Sequence, residues 1–271
     1  MKAALLQLAS PLEEDWRHRI DRVGELVTGL TDVDLVVLPE LWAAGYFAFD
    51  RYEDLAQPVP GPLVETIRGW ALSLGAHVQV GSILERGPSG RLHNTALLIG
   101  PSGEDLLEYR KIHVFGYQSL EATLLTPGTR TDVVRTDLGG VGMSTCYDLR
   151  FPELYRGLVD AGAEIVVVPA AWPMARLGHW RLLTRARAVE NQVLLLACNA
   201  AGRQGEVELA GHSAVIDPWG RVLGEAGADE EVLVVDIDLE VVSRTRKEFP
   251  VLEDRRLDLS SNRPREDHGT R

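Results

Sequence analysis

The chain has 271 residues, 45% of them hydrophobic, which is ample apolar material for the core of a single α/β domain. A formal charge of -12 argues against nucleic acid or an anionic membrane surface as partner, since either calls for a basic stripe, and leaves soluble small-molecule chemistry. Two cysteines, no run long enough to span a bilayer, and an N-terminal apolar stretch broken by Gln7 and followed by Glu13-Glu14-Asp15 predict a reducing, cytoplasmic setting.

Residues 3–8 read as a first strand, and Trp16, Ile20, Val23, Val27 and Leu30 follow at spacings that define one face of a helix. Asp34 to Leu38 carries the run Leu-Val-Val-Leu, the pattern of a strand covered on both faces, and ends at Pro39-Glu40. A second helix presents Leu63, Ile67, Trp70 and Leu74 on one stripe, with Pro62 near its start and Gly75 at its end. From His77 to Lys111 the pattern changes to strands at Val78–Glu85, Thr95–Ile99 and Leu106–Tyr109, joined by Gly-Pro-Ser-Gly turns that predict antiparallel hairpins.

Val141 to Pro152 reads as a buried strand that delivers Cys146 to a turn, followed by a helix over Pro152–Ala163. Glu164–Val168 is another apolar strand, ending in Pro169-Ala-Ala-Trp-Pro173, and a helix runs from about Gly178 to Gln192. Val193–Asn199 is strand-like and places Cys198 in the core. Ser213–Ile216 and Val232–Ile237 read as strands flanking the turn Asp217-Pro-Trp-Gly220, before a last helix over Leu239–Glu248. Nothing divides the chain, so the expectation is one domain over residues 1–259 and a polar, mobile tail over 260–271.

The strands ending at Glu40, Cys146 and Pro169 share one punctuation: an apolar run, turn residues, then a helix. In α/β sheets such carboxyl ends form the ligand crevice. A helix start beside Cys146 supplies unpaired N–H donors that favour negative charge, a useful setting for a nucleophile. A thiol attacking a carbonyl also needs a base, an oxyanion partner and an acid for the leaving group. Of seven histidines, only His113 and His212 occupy plausible loop positions, and nothing pairs either with Cys146. Glu40 is the stronger base, because partial burial at a strand end raises a carboxylate toward the range useful for proton transfer. No Cys/His cluster has metal-ligand spacing, and no cofactor is expected.

Leu38-Pro-Glu-Leu-Trp42, Tyr109-Arg-Lys-Ile-His113 and Thr145-Cys-Tyr-Asp-Leu-Arg-Phe-Pro-Glu153 resemble, in order, the three signatures of the nitrilase superfamily of carbon-nitrogen hydrolases. The resemblance continues through Pro169–Pro173, Arg185–Gln192 and Gly211–Gly220. It implies an αββα sandwich that pairs into a four-layer αββααββα homodimer, and a triad of Glu40 as general base, Lys111 as oxyanion partner and Cys146 as nucleophile. Glu121, in Ser119-Leu-Glu-Ala-Thr123, aligns with a second glutamate that many members place beside the lysine; an ordinary solvated loop carboxylate is the alternative. The backbone N–H of Tyr147 would complete the oxyanion site.

Tyr-Asp-Leu-Arg-Phe-Pro-Glu after the cysteine is similar to the amidase branch rather than to true nitrilases, and Gly211-His-Ser, Asp217-Pro-Trp-Gly220 and Asp236-Ile-Asp-Leu239 look most like ω-amidases. These release ammonia from short dicarboxylic monoamides such as 2-oxoglutaramate. Trp172 stands where several ω-amidases carry phenylalanine. Tyr46, Phe115 and Trp172 are expected at the pocket, with Arg176 or Arg150 as the cation for an anionic substrate; Arg150 pairing with Glu153 is the structural alternative. Arg185, Arg187 and Glu190 read as internally paired charges. Deaminated-glutathione amidase, N-carbamoyl amino acid hydrolase and a catalytically silent interaction protein are the competing functions.

Overall fold

The computed structural model describes residues 1–258 together with 263 and 264. In chain order its elements are β1 (Lys2–Gln7), α1 (Trp16–Thr28), β2 (Leu35–Val37), α2 (Tyr52–Leu55), α3 (Pro62–Leu74), β3 (His77–Gln79), β4 (Ile83–Arg86), β5 (Leu92–Ile99) and β6 (Asp105–Arg110). Then follow α4 (Glu121–Leu124), β7 (Val133–Thr136), β8 (Gly139–Met143), α5 (Pro152–Asp160), β9 (Ile165–Ala170), α6 (Leu177–Asn191) and β10 (Leu194–Asn199). The hairpin β11 (Arg203–Gln204) and β12 (Val207–Glu208) precedes β13 (Ala214–Ile216), β14 (Val222–Glu225), β15 (Glu231–Asp236) and α7 (Glu240–Glu248), and a two-residue ribbon joins β16 (Leu257–Asp258) to β17 (Arg263–Pro264).

Two sheets stack face to face. The first has the order β15-β1-β2-β3-β5-β4, with β6 on the other edge of β5, and β1, β2 and β3 run parallel. The second has the order β14-β13-β10-β9-β8-β7, and β8, β9 and β10 run parallel. Side-chain alternation along each strand then assigns the layers. Ala3, Leu5, Leu35, Val37, Ala96 and Leu98 share a core with the second sheet, whereas Ala4, Leu6, Val36, Leu97 and Ile99 pack under Val23 and Val27 of α1 and Leu63, Ile67 and Trp70 of α3.

In the second sheet, Met143 faces inward, its sulfur 3.8 Å from the Gln79 amide nitrogen on β3. Gly142, one residue earlier, faces outward against Leu158 of α5, so α5 and α6 form the fourth layer. The chain is thus an αββα sandwich. Cys198 sits between the sheets, its thiol 3.3 Å from the carbonyl oxygens of Leu6 and Val37, as expected of a core cysteine.

Two expectations are corrected. The run Val78–Glu85 is two strands, split at Gly81, whose φ of +74° and contact with the Pro39 carbonyl leave no room for a Cβ. The turn Asp217–Gly220 joins β13 to β14, whereas Val232–Asp236 falls in β15 and Ile237 lies just past it; β15 crosses to the first sheet and pairs antiparallel with β1 from Lys2↔Asp236 to Gln7↔Glu231. β14 escaped notice because Val-Leu-Gly-Glu is a short, half-exposed edge strand with little apolar signal. Of the proposed 260–271 tail, residues 263 and 264 pair in the ribbon and the rest lies outside the described residues. Among the described residues no helix is long and apolar enough to cross a membrane.

Because Leu5 is fully buried between the sheets, Leu5→Ala is expected to cost about 2–5 kcal/mol in denaturant unfolding, against about 0.5 kcal/mol or less for Leu223→Ala on the half-exposed β14.

Candidate active site

Three chain segments meet at the carboxyl end of the sandwich. Glu40 lies three residues past β2, where Ser82 N–H holds the Pro39 carbonyl at 3.3 Å and Gly81 allows the close approach of the two backbones. Lys111 follows directly on β6, its N–H donating to the Asn94 carbonyl of β5 at 2.8 Å. Cys146 opens a 3-10 turn over Cys146–Arg150 and has a φ of +47°, a left-handed conformation that a non-glycine residue adopts only when its surroundings enforce it.

Asp148 supplies that enforcement. Fully buried, it accepts from the Thr145 N–H at 2.9 Å and the Tyr109 hydroxyl at 2.7 Å on one oxygen. Its other oxygen accepts from the His113 N–H at 2.9 Å and meets the imidazole Nδ1 at 2.7 Å. One carboxylate thereby ties the Cys146 turn to both flanks of Lys111. Arg187 braces the turn from behind, donating to the Leu149 carbonyl at 3.0 Å while pairing with Glu190 at 2.8 Å, so these two are the internally paired charges expected.

At the centre, the Lys111 ammonium lies 2.7 Å from Glu40 Oε1, and 2.8 and 3.0 Å from the two oxygens of Glu121, with all three side chains fully buried. The Cys146 thiol lies within the electrostatic reach of both the Glu40 carboxyl and the Lys111 ammonium. Glu121 is no solvated loop carboxylate: Tyr46 OH donates to it at 3.0 Å and Phe115 N–H at 2.7 Å. Asn94 Nδ2 bridges the two glutamates, 2.8 Å from Glu40 and 3.1 Å from Glu121. Sequence reasoning missed Asn94, although a polar residue in the middle of the buried run of β5 was a signal; it also missed Asp148.

Burial raises Glu40 above the usual carboxylate range, and the Glu121 charge adds to this against the pull of Lys111. Burial alone would lower Lys111, but Glu121 and Glu40 more than reverse it and hold the ammonium well above its ordinary value. The Cys146 thiol is pushed well up by burial and then by the Glu40 charge. The resting pair is therefore a neutral thiol beside a carboxyl of raised proton affinity, poised for transfer between them.

Above the thiol opens a cavity of about 590 Å³. Tyr46, Phe115, Tyr147, Trp172 and Arg176 all line it, as does Arg150, and the β11–β12 hairpin closes one side. Arg150 does not pair with Glu153; its guanidinium lies over the Trp172 ring at 4.7 Å. Arg176 lies over Phe115 at 5.5 Å. His113 stacks on Phe151 with centroids 3.7 Å apart and serves Asp148 rather than the thiol. Among the described residues, no group of three or more His, Cys, Asp or Glu side chains suits a metal ion.

The sequence profile of the carbon-nitrogen hydrolases matches residues 2–247. A 2-oxoglutaramate amidase of Paenarthrobacter nicotinovorans is 38% identical over 266 residues, 96% of this chain and 90% of that protein. Omega-amidase NIT2 of Mus musculus is 36% identical over 269 residues, covering 95% and 96% of the two chains. The crystal structure of Saccharomyces cerevisiae Nit3, a member of branch 10 of the nitrilase superfamily, superposes with a TM-score of 0.86 at 30% identity, covering 95% of this chain and 97% of that one.

Cys146 opens to the cavity and Cys198 is sealed between the sheets. Native protein is expected to take up one carbamidomethyl group from iodoacetamide, at Cys146, and a second only after denaturation; labelling of Cys198 in the native state, read by peptide mass, would contradict this placement.

Proposed function

The chain belongs to the carbon-nitrogen hydrolase family and acts on amides, and from that premise we propose an ω-amidase-like enzyme that releases ammonia from the terminal amide of a small dicarboxylic monoamide such as 2-oxoglutaramate. The observation that carries this reading is one cavity holding both the thiol and two guanidinium groups, Arg150 and Arg176, neither of which has an ion-pair partner among the described residues. Two cations without an ion-pair partner in an aromatic-walled cavity suit a substrate carboxylate, with the amide directed to Cys146.

In the proposed mechanism, Glu40 takes the thiol proton as the Cys146 sulfur attacks the amide carbon. The resulting oxyanion is held by Lys111 and by the N–H of Tyr147, which stands in the first turn after the nucleophile, where helical N–H groups lack internal partners. The ammonium has three protons: one goes to Glu40, one is shared between the Glu121 oxygens, and the third is left for the oxyanion. Glu40 returns its proton to the departing nitrogen, ammonia leaves, and a thioester remains on Cys146. Glu40 then deprotonates the water that opens the thioester and passes that proton to the departing Cys146 sulfur, which restores both the thiol and the carboxylate. Tyr46, through its hydroxyl on Glu121, and Phe115 and Trp172, through their rings, shape the pocket. The chemistry calls for no metal or organic cofactor.

A homodimer of the four-layer type and a cytoplasmic location complete the proposal. Leu182 and Val189, two turns apart on the outer face of α6, are 66% and 45% exposed, and Trp219, stacked on Phe249 at 5.9 Å, extends the patch. Apolar surface of this kind marks a protein contact. Both cysteines are free thiols, which fits a reducing compartment.

A panel of amides, N-carbamoyl amino acids and nitriles scored for ammonia is expected to show release from 2-oxoglutaramate and succinamate, abolished in Cys146→Ala. Release from a carbamoyl amino acid and from no short monoamide would overturn the ω-amidase reading. Because the active form of Glu40 is the carboxylate and its proton affinity is raised, kcat/KM is expected to fall with falling pH at a midpoint above the ordinary value of 4.5. Lys111, held protonated, gives no alkaline limb in the neutral to mildly basic range.

A further inference from the structure

The four acceptor positions of the Glu40 carboxylate are almost fully occupied. A carboxylate offers about two lone pairs on each oxygen. Oε1 receives Lys111 Nζ at 2.7 Å and Asn94 Nδ2 at 2.8 Å, which fills it. Oε2 receives the backbone N–H of Ala171 at 2.9 Å, and among the described residues no second donor is bonded to it. One lone pair remains, and it belongs to Oε2.

We propose that Asn94 is a positioning residue for the proton shuttle: by saturating Oε1 together with Lys111, it confines every proton that Glu40 takes or gives to the free lone pair of Oε2. Four transfers pass through that one position, from the thiol, to the departing nitrogen, from the hydrolytic water and back to the Cys146 sulfur, and each leaves Glu40 in the state the next requires. The inference rests on Glu40 being the general base.

The orientation of the Asn94 amide follows from its neighbours. Both glutamates lie within hydrogen-bond reach of its nitrogen, so the reverse orientation would set an amide oxygen against two carboxylates. The amide oxygen itself is buried without a partner, an unfavourable arrangement that the two charge-assisted bonds from the nitrogen offset. The backbone is anchored independently, through the Lys111 N–H on the Asn94 carbonyl and the pairing of Asn94 with Leu84 of β4, so the side chain is free to be replaced while the strand stays in place. The charged and titratable groups facing Glu40 are Lys111, Glu121 and Cys146, with the Tyr46 hydroxyl beside Glu121.

Asn94→Leu removes the donor at similar volume, and Asn94→Asp keeps the shape while replacing the donor with a carboxyl group that cannot donate once ionised. Both make the Glu40 carboxylate harder to form. The readout is the pH dependence of Cys146 alkylation by iodoacetamide, which needs no substrate, alongside ammonia release from succinamate. In both variants the acidic limb of alkylation is expected to move upward by about one pH unit or more, with kcat on succinamate falling and KM changing little. An acidic limb that stays at the wild-type pH in Asn94→Asp, or in Asn94→Leu, would overturn the proposal. If Glu40→Gln leaves the alkylation limb in place, the base assignment itself fails, an outcome distinct from failure of the Asn94 role. Absence of ammonia with a shifted limb would fault the substrate and leave the shuttle supported.

Discussion

Two buried carboxylates share one buried ammonium, and the site is organised around that sharing. Lys111 stands 2.7 Å from Glu40 and 2.8 Å from Glu121 with no solvent at any of the three. Removing one partner from such a group leaves a charge without water or counter-ion, at a typical cost of about 3–5 kcal/mol. The surrounding structure prevents that loss by bringing polar groups from several separate segments: Asn94 from β5, Tyr46 from the loop after β2, the Phe115 N–H from the loop after β6 and the Ala171 N–H from the end of β9. Each sheet contributes, so the sandwich must be closed before the site exists.

The same constraint explains why two cysteines of one chain differ so sharply. Cys198 meets the carbonyls of Leu6 and Val37 in the inter-sheet core, and burial raises its thiol against the smaller opposing effect of Ser213. Cys146 is also raised, but beside a carboxyl group and an ammonium; in the proposed mechanism the first takes its proton and the second stabilises the charge that results. The left-handed turn at Cys146 is the conformational cost of presenting that sulfur to the cavity, and Asp148 holds it there through bonds to Thr145, Tyr109 and His113.

Much of this was legible in the chain because the signals are local. The apolar runs of β2 and β9, the helical stripes of α1 and α3 and the Gly-Pro-Ser-Gly turn before β6 are written in consecutive residues. Glu40, Lys111 and Cys146 each stand at a strand end, so their convergence followed from the α/β pattern once a family resemblance linked them. What was hidden depends on distant partners. Glu121 was placed beside the lysine by the resemblance alone, since nothing local to it signals the burial that Tyr46 and Asn94 enforce, and β15 looks like the sequel to β13 until it is seen paired with β1 across the sandwich. The short edge strands β7 and β14 and the β11–β12 hairpin are half-exposed, so they lack the apolar periodicity that marks a buried strand.

If the shared lysine and its two glutamates exist to build and break a thioester, the acyl-enzyme is the species to capture. Intact-mass spectrometry after rapid acid quench of the protein with succinamate is expected to show a fraction carrying a succinyl group on Cys146, lost in Cys146→Ala and absent in Glu40→Gln and Lys111→Ala. Ammonia release with no adduct at any quench time in the wild-type protein, or an adduct that forms undiminished without Lys111, would contradict that role.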